Sequence, residues 1–242
     1  MQRCTVKKLH WLFSCIAISM ASMAQATDAL SVFNTQYTAK LYGFSIDVTS
    51  RLTALSNNHY ELYFNAEALF GSITEISQLQ WNAEDQTVMP HHYLYNRSGL
   101  GKSSEEELNF DWTKHTISNP HKKTSWPMLG ALKIQDSLSY QLQLRQDLLA
   151  GKKDFYYPIS NGKKIKEYRF EIVGEEILNT PLGDVNTVKV KRSYTNDDRE
   201  TFVWFAKNFQ YLLVRLQQEE NGSAYTIYLS KASLNGKAIP HF

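Results

Sequence analysis

The sequence predicts an all-β protein, mainly antiparallel, built as a barrel-like or strongly curved meander of roughly a dozen strands with one helix. Three observations predict it. Apolar and polar residues alternate with period two along most of the chain, turn-forming dipeptides recur between these runs, and one stretch alone repeats at helical spacing.

A segment of different character precedes the first strand. Arg3, Lys7 and Lys8 lead into the apolar run Trp11-Leu12-Phe13-Ser14-Cys15-Ile16-Ala17-Ile18, and Ala24-Gln25-Ala26 stands ahead of Thr27-Asp28. A basic start, a short apolar run and a small-x-small site form the pattern of a secretory signal. The run falls short of the roughly 20 residues that a helix needs to span a bilayer. The expectation is a cleaved signal over residues 1–26, a single domain over 27–242 and a periplasmic location. Leu12-Phe13-Ser14-Cys15 loosely resembles a lipidation box, but Phe13 is bulky for that pattern and another apolar run follows Cys15. Both cysteines, Cys4 and Cys15, fall in this segment, so the rest of the chain must rely on a core and not on disulfides. Removing three of the 26 basic residues leaves 23 against 24 acidic ones. A nearly neutral chain with interspersed signs offers no basic footprint for nucleic acid. No later segment is long and apolar enough for a transmembrane helix, and oligomeric state is not indicated.

The strands follow in order. Phe33, Thr35, Tyr37, Ala39 and Leu41 share one side of the first, with Tyr42-Gly43 as the turn. Phe44, Ile46, Val48, Leu52 and Ala54 nearly share one side of the second. After the Asn57-Asn58 turn signal, Tyr60, Leu62, Phe64, Ala66 and Ala68 alternate with Glu61, Asn65 and Glu67. Similar runs recur around residues 74–81, 88–96, 105–111, 115–118, 166–173, 185–192, 200–206, 211–217 and 224–230. Asn161-Gly162 and Asn221-Gly222 accept positive φ and predict tight hairpins. A strand-poor stretch is expected from His121 to Lys133. The helix is expected from about Ser137 to Leu149: Asp136 suits an N-cap, Leu138, Leu142, Arg145 and Leu149 recur at helical spacing, and Gly151 suits the left-handed C′ position. A second row, Tyr140, Leu144 and Leu148, makes its buried face broad, as in a helix lying across a sheet or plugging a barrel mouth.

Several of these residues taken in order carry a resemblance. Asp136-Ser137-Leu138-Ser139-Tyr140 with Leu144-Arg145, Thr180-Pro181-Leu182-Gly183 before a strand, and Trp204-Phe205-Ala206 followed by Tyr211-Leu212 resemble the bacterial family called "domain of unknown function 3108". The similarity runs from about Tyr37 to Leu229. It departs at Leu213, where the family typically carries proline. The resemblance implies a secreted β-barrel-like domain and brings no established reaction or ligand. The same residues have a plain physical role: Thr180-Pro181-Leu182-Gly183 suits a turn, and Phe202, Trp204 and Ala206 fill one sheet face.

Familiar chemistries are not signalled. Gly99-Leu100-Gly101-Lys102-Ser103 ends like a phosphate-binding loop, but Asn96 stands where its first glycine is needed and no helix signal follows. His91-His92 would point to opposite faces of a strand, which suits no shared metal ion. No G-x-S-x-G elbow occurs, and Glu175-Glu176 and Asp197-Asp198 sit beside turn signals as solvated pairs. No cofactor is expected, and the balance leans away from an enzyme. What remains is aromatic wealth, with 14 Tyr, 12 Phe and 5 Trp. In a barrel, Tyr60, Phe64, Tyr93, Tyr95, Phe170, Phe202, Trp204 and Tyr225 could line a cavity for an apolar or amphipathic molecule, or simply form a core. The favoured expectation is a periplasmic protein that binds or carries a hydrophobic, lipid-like ligand. The alternatives are an envelope hydrolase with dispersed catalytic residues and an outer-membrane-associated structural or assembly protein. Against the membrane barrel, Pro240 would remove an N–H from a membrane strand.

Overall fold

Alternation along the chain becomes one antiparallel sheet. The computed structural model describes residues 29–41, 44–99, 103–128, 133–162, 164–193, 199–220 and 223–242. Residues 1–28, with Cys4 and Cys15, the turns at Tyr42-Gly43 and Asn221-Gly222, and the Asp197-Asp198 pair lie outside the described residues. Eight strands come first: β1 (Phe33–Leu41), β2 (Phe44–Ala54), β3 (His59–Ala68), β4 (Gly71–Asn82), β5 (Thr87–Gly99), β6 (Ser104–Asp111), β7 (Thr116–Asn119) and β8 (Thr124–Pro127). Helix α1 (Ser139–Leu149) follows, then β9 (Asp154–Ser160), β10 (Ile165–Thr180), β11 (Gly183–Ser193), β12 (Arg199–Ala206), β13 (Leu212–Glu220), β14 (Ser223–Leu234) and the short β15 (Lys237–Ile239). The stretch expected to be poor in strands therefore contains β8.

Strand order is β8-β7-β6-β5-β4-β3-β2-β1-β14-β13-β12-β11-β10-β9, with β15 beside β14. Two up-and-down meanders thus meet where β1 pairs with β14, placing Phe33 opposite Leu234 and Ala39 opposite Ile227. Irregular pairings at Gln36/Tyr37, Gln78/Leu79, Ile172/Gly174 and Trp204/Phe205 interrupt the ladders. Bulges of this kind bend and twist a sheet. One of them accommodates Pro90, which cannot donate to a ladder, while Pro127 and Pro158 lie on the two terminal strands.

Strand β8 and strand β9 do not pair with each other, so hydrogen bonding does not close the sheet. Residues around α1 occupy the seam. The Gln135 N–H donates to Pro158 O, and its carbonyl accepts from Ser160 N–H, both at 2.9 Å, so this residue extends the ladder beyond β9. Its side-chain Nε2 donates to Val88 O at 2.8 Å, while Gln143 Oε1 accepts from Val88 N–H at 2.7 Å. Farther along, Gly162 (φ +81°) lies so close to Glu106 that a Cβ would stand 2.1 Å from its carboxylate oxygen, and only glycine fits both conformation and contact.

The helix begins at Ser139, two residues later than expected, but Asp136 does cap this end. Its Oδ1 accepts from Leu138 N–H and Ser139 N–H at 2.7 Å, and Ser139 Oγ accepts from Asp136 N–H at 3.0 Å. Gly151 (φ +72°) ends it as foreseen, with Gly151 N–H donating to Leu148 O and Lys152 N–H to Asp147 O. Seven of its eleven residues are buried, including Gln143, Arg145 and Asp147, so α1 plugs the interior and does not lie across an outer face. Leu149, placed in the apolar row by spacing, is instead exposed at the last turn. Turns at Asn57-Asn58 (φ 49° and 61°) and Thr180–Gly183 form where expected. At Asn161-Gly162, Asn161 N–H donates to Lys164 O, so the turn centres one residue later than the dipeptide suggests.

Candidate functional site

Interior side chains do not fill the barrel evenly. Under β2 to β7, Leu52, Leu62, Leu79, Val88, Leu108 and Ile117 pack with Leu138, just ahead of α1, and with Leu142 within it. Under β9 to β12, Phe155, Ile159, Val188 and Val190 pack with Leu144 and Leu148. Between these two cores, beneath β1, β2, β13 and β14, lies a cavity of about 530 Å³. Its walls come from inward positions of successive strands: Tyr37 and Ala39, Ile46 and Val48, Phe64 and Ala66, Val203 and Phe205, Leu213 and Leu216, Tyr225 and Ile227. Strand periodicity delivers these to one side, except that Leu213 and Leu216, three residues apart, share it through the bulge opposite Trp204/Phe205. Walls near the helix, such as Tyr37, Leu144 and Leu212, are buried, whereas Ile46, Ala66, Ile73 and Tyr225, beside the far hairpins, are only half-buried. The cavity therefore opens away from α1.

Of the aromatics singled out from alternation, Phe64, Tyr95, Phe170 and Tyr225 line this cavity. Tyr60 and Tyr93 face inward but sit in the packed half: the Tyr60 hydroxyl accepts from Leu30 N–H at 3.0 Å, and Tyr93 donates to Glu75 Oε2 at 2.5 Å. Phe202 and Trp204 alternate with the wall residues Thr201, Val203 and Phe205, so they occupy the opposite face of β12. There Lys189 Nζ lies 4.4 Å from the Phe202 ring centre, Arg215 lies 4.4 Å from that of Trp204, and Trp204 Nε1 donates to Glu176. Their place in the sequence shows which neighbours share a face, not which of the two faces encloses space.

The wall is mostly apolar, with Arg145, Arg192, Glu75, Gln141 and Gln218 among its polar groups. Arg145 is 4% exposed. Its Nε donates to Gln210 O at 2.6 Å, Nη1 donates to Ser31 O at 3.3 Å, and the guanidinium lies 4.9 Å over Phe33. Its Nη2 has no hydrogen-bond partner, and no carboxylate among the described residues pairs with it. Burial lowers its pKa to about 10, with Tyr37 acting in the opposite sense. Nearby Tyr37 donates to Leu213 O at 3.1 Å, and burial raises its hydroxyl to about 12. On the other wall, burial pushes the Glu75 carboxyl up to about 7. Beyond it, Asp136 is fully buried, accepts from Ser77 Oγ at 2.6 Å, and is raised chiefly by desolvation. Arg145 stands in the sequence only as a helix-row and family-pattern residue and Glu75 is not singled out at all, although both carry signals of a site. Arg145 interrupts an apolar helical row, and Glu75 falls on the inward register of Ile73, Ser77 and Leu79.

Other sequence features have structural places. His92 Nε2 meets Glu107 at 2.9 Å, and His91 lies 5.8 Å from His59 by ring centres. Gly99 ends β5 and Ser104 opens β6, so a strand follows the glycine-rich stretch. Among the described residues no helix is long and apolar enough to cross a membrane.

Comparison with known proteins agrees with this architecture. Residues 27–230 match the family described as "Protein of unknown function (DUF3108)". The chain belongs to that family. Leu213, the departure from the DUF3108 pattern, lies in β13 beside the irregular pairing at Trp204/Phe205, and its side chain joins the cavity wall. The DUF3108 chain is also similar in structure to a β-barrel-like protein of domain of unknown function DUF1849 from Brucella abortus. That likeness has a TM-score of 0.59 at 9% identity and covers 86% of this chain and all of the other, and it shows the fold alone. No curated protein matches the sequence.

Proposed function

We propose that this protein binds, and carries across the periplasm, one hydrophobic lipid-like molecule held in the barrel cavity. The observation that carries the reading is a mostly apolar-walled space of about 530 Å³ inside the curved sheet. Protein interiors seldom leave voids larger than a water molecule. At about 24 cal/mol per Å³, a dry space of this size would cost on the order of 10 kcal/mol, comparable with the whole stability of a domain. Such a space holds water or a ligand, and apolar walls favour the ligand. The periplasmic setting rests on the basic, apolar and small-residue order of the first 26 residues. Exposed outward positions such as Asn34, Gln36, Asp47, Arg51, Asp184 and Asn186 suit water better than the apolar band of a membrane barrel.

Native mass spectrometry of protein purified without detergent tests this reading. The expected result is an apolar mass that co-purifies, is released on unfolding, and is lost in Phe64→Ser and Tyr225→Ser variants that remain folded. A folded protein with no bound mass and no uptake of a fluorescent acyl probe would overturn it.

Glu75 favours a second reading, an envelope hydrolase. A carboxyl titrating near neutrality at a cavity wall is suited to give or take a proton. Only one acidic group of that network reaches the cavity, however, since Tyr93 and Asp136 lie behind it. Turnover of an ester or glycoside substrate that vanishes in Glu75→Gln, with acyl-probe binding retained, would replace the carrier reading.

A further inference from the structure

Resting on that carrier reading, we infer that the occupant is a single-chain amphiphile with an anionic head, and that Arg145 recognises the head at the closed end of the cavity. The geometry begins with what Arg145 lacks. A guanidinium offers five N–H donors. Two meet the carbonyls of Gln210 and Ser31, and Nη2 meets nothing. Residue Arg145 is nonetheless buried and forms part of the cavity wall. A buried cation without a counter-charge is costly, and protein interiors ordinarily pair such groups. Elsewhere on the same helix, Asp147 is fully provided for, accepting from Lys152, Gln143 and Tyr157. Nη2 is itself covered, so a small shift of the guanidinium is needed for it and the second N–H of Nη1 to hold a carboxylate or phosphate through parallel bonds.

Position and size define the rest of the molecule. From Arg145, beside Phe33, Tyr37 and Leu212, the walls run through Val48, Phe64 and Ile227 toward the half-buried rim. An acyl chain lying along this path keeps its head at the helix and its tail toward the opening. A space of about 530 Å³ lies within the range of pockets that hold one small ligand, which suits one acyl chain and its head.

Calorimetric titration of the delipidated protein with hexadecanoate, hexadecanol, hexadecyl phosphate and acetate tests the inference. Hexadecanoate or hexadecyl phosphate should bind roughly 10- to 100-fold more tightly than hexadecanol, the worth of hydrogen bonds to a charged group. Arg145→Met should bring the acid-to-alcohol ratio close to one, and Arg145→Lys should keep part of it. Acetate alone should bind too weakly to detect. Equal affinity for acid and alcohol in the unaltered protein would overturn the head-group assignment and leave the apolar cavity reading standing. Acetate binding as tightly as hexadecanoate would overturn the amphiphile. Failure of all four to bind would sink both the inference and the carrier reading. Should Arg145→Met fail to fold, the ligand ratio in the unaltered protein and in Arg145→Lys still decides.

Discussion

Two charged side chains lie two residues apart on α1, both buried, in opposite circumstances. Asp147 faces the seam beside β9, where Gln143 and Lys152 donate to one carboxylate oxygen at 3.0 and 2.7 Å and Tyr157 donates to the other at 2.7 Å. Arg145 faces the hollow under β1 and β13, where two backbone carbonyls and the Phe33 ring are its company. One side of the helix has been completed by the protein's own groups, and the other has not. The completed side holds the open sheet in its barrel-like form through Gln135, Gln143 and Asp147. On the proposed reading, the incomplete side is where a ligand would supply what is missing.

The sharpest break of this contrast is Asp147→Ala. It leaves the buried Tyr157 hydroxyl without its acceptor and the Gln143 amide with Gln86 O alone, and it should cost about 3 kcal/mol or more in urea denaturation. A loss under about 1 kcal/mol would show that the seam does not depend on this network.

A similar magnitude attaches to pH through Glu75 in ligand-free protein. Burial raises its pKa from 4.5 to about 7, the Tyr93 hydrogen bond works against the shift, and Asp136 adds to it. The folded state therefore holds this proton more tightly than the unfolded chain. Stability from the group is fully present below pH 4.5 and is lost as pH rises to about 7, amounting to about 3 kcal/mol. Asp136, raised in the same direction, adds to the trend. Glu75→Gln should flatten much of the stability profile across this window, and a profile unchanged by that substitution would contradict the assignment.

Arg145→Met should cost less, about 1–2 kcal/mol, because removing a buried charge without a counter-ion offsets the two lost carbonyl bonds. A loss as large as that of Asp147→Ala would place Arg145 among the structural groups and erase the contrast. Smallest of all is Phe202→Ala, whose ring stands on the far face of β12 beneath Lys189. Acyl-probe affinity should change less than about twofold, and a loss of binding would mean that the ligand lies outside the barrel.

The sequence makes the sheet legible because half-buried strands must alternate. That rule places Phe33, Tyr37, Ile46, Val48, Phe64 and Ala66 on one side before any coordinate is known. Helix ends are legible too, since Asp136 and Gly151 satisfy orphan backbone groups by chemistry that the residue types announce. Alternation cannot say which side of β12 encloses space, so Phe202 and Trp204 look the same as Phe64 and Tyr225. Nor does it reveal that the interior is hollow under β1 and packed under β6, because that depends on how far the bulged sheet curls and on how deep α1 sits. Arg145 and Glu75 are single breaks in apolar patterns. Their meaning appears only when the two meanders are joined and both face the same hollow.

Filling the cavity is the most direct test of the central claim. Ala66 lies on the wall and is half-buried, and Ala66→Trp would place an indole in the space an acyl chain should occupy. Where room exists, the usual overpacking penalty of about 1–3 kcal/mol should largely vanish. The expected result is a folded variant of near-normal stability that no longer takes up a fluorescent acyl probe. A folded variant that binds the probe with unchanged affinity would contradict it.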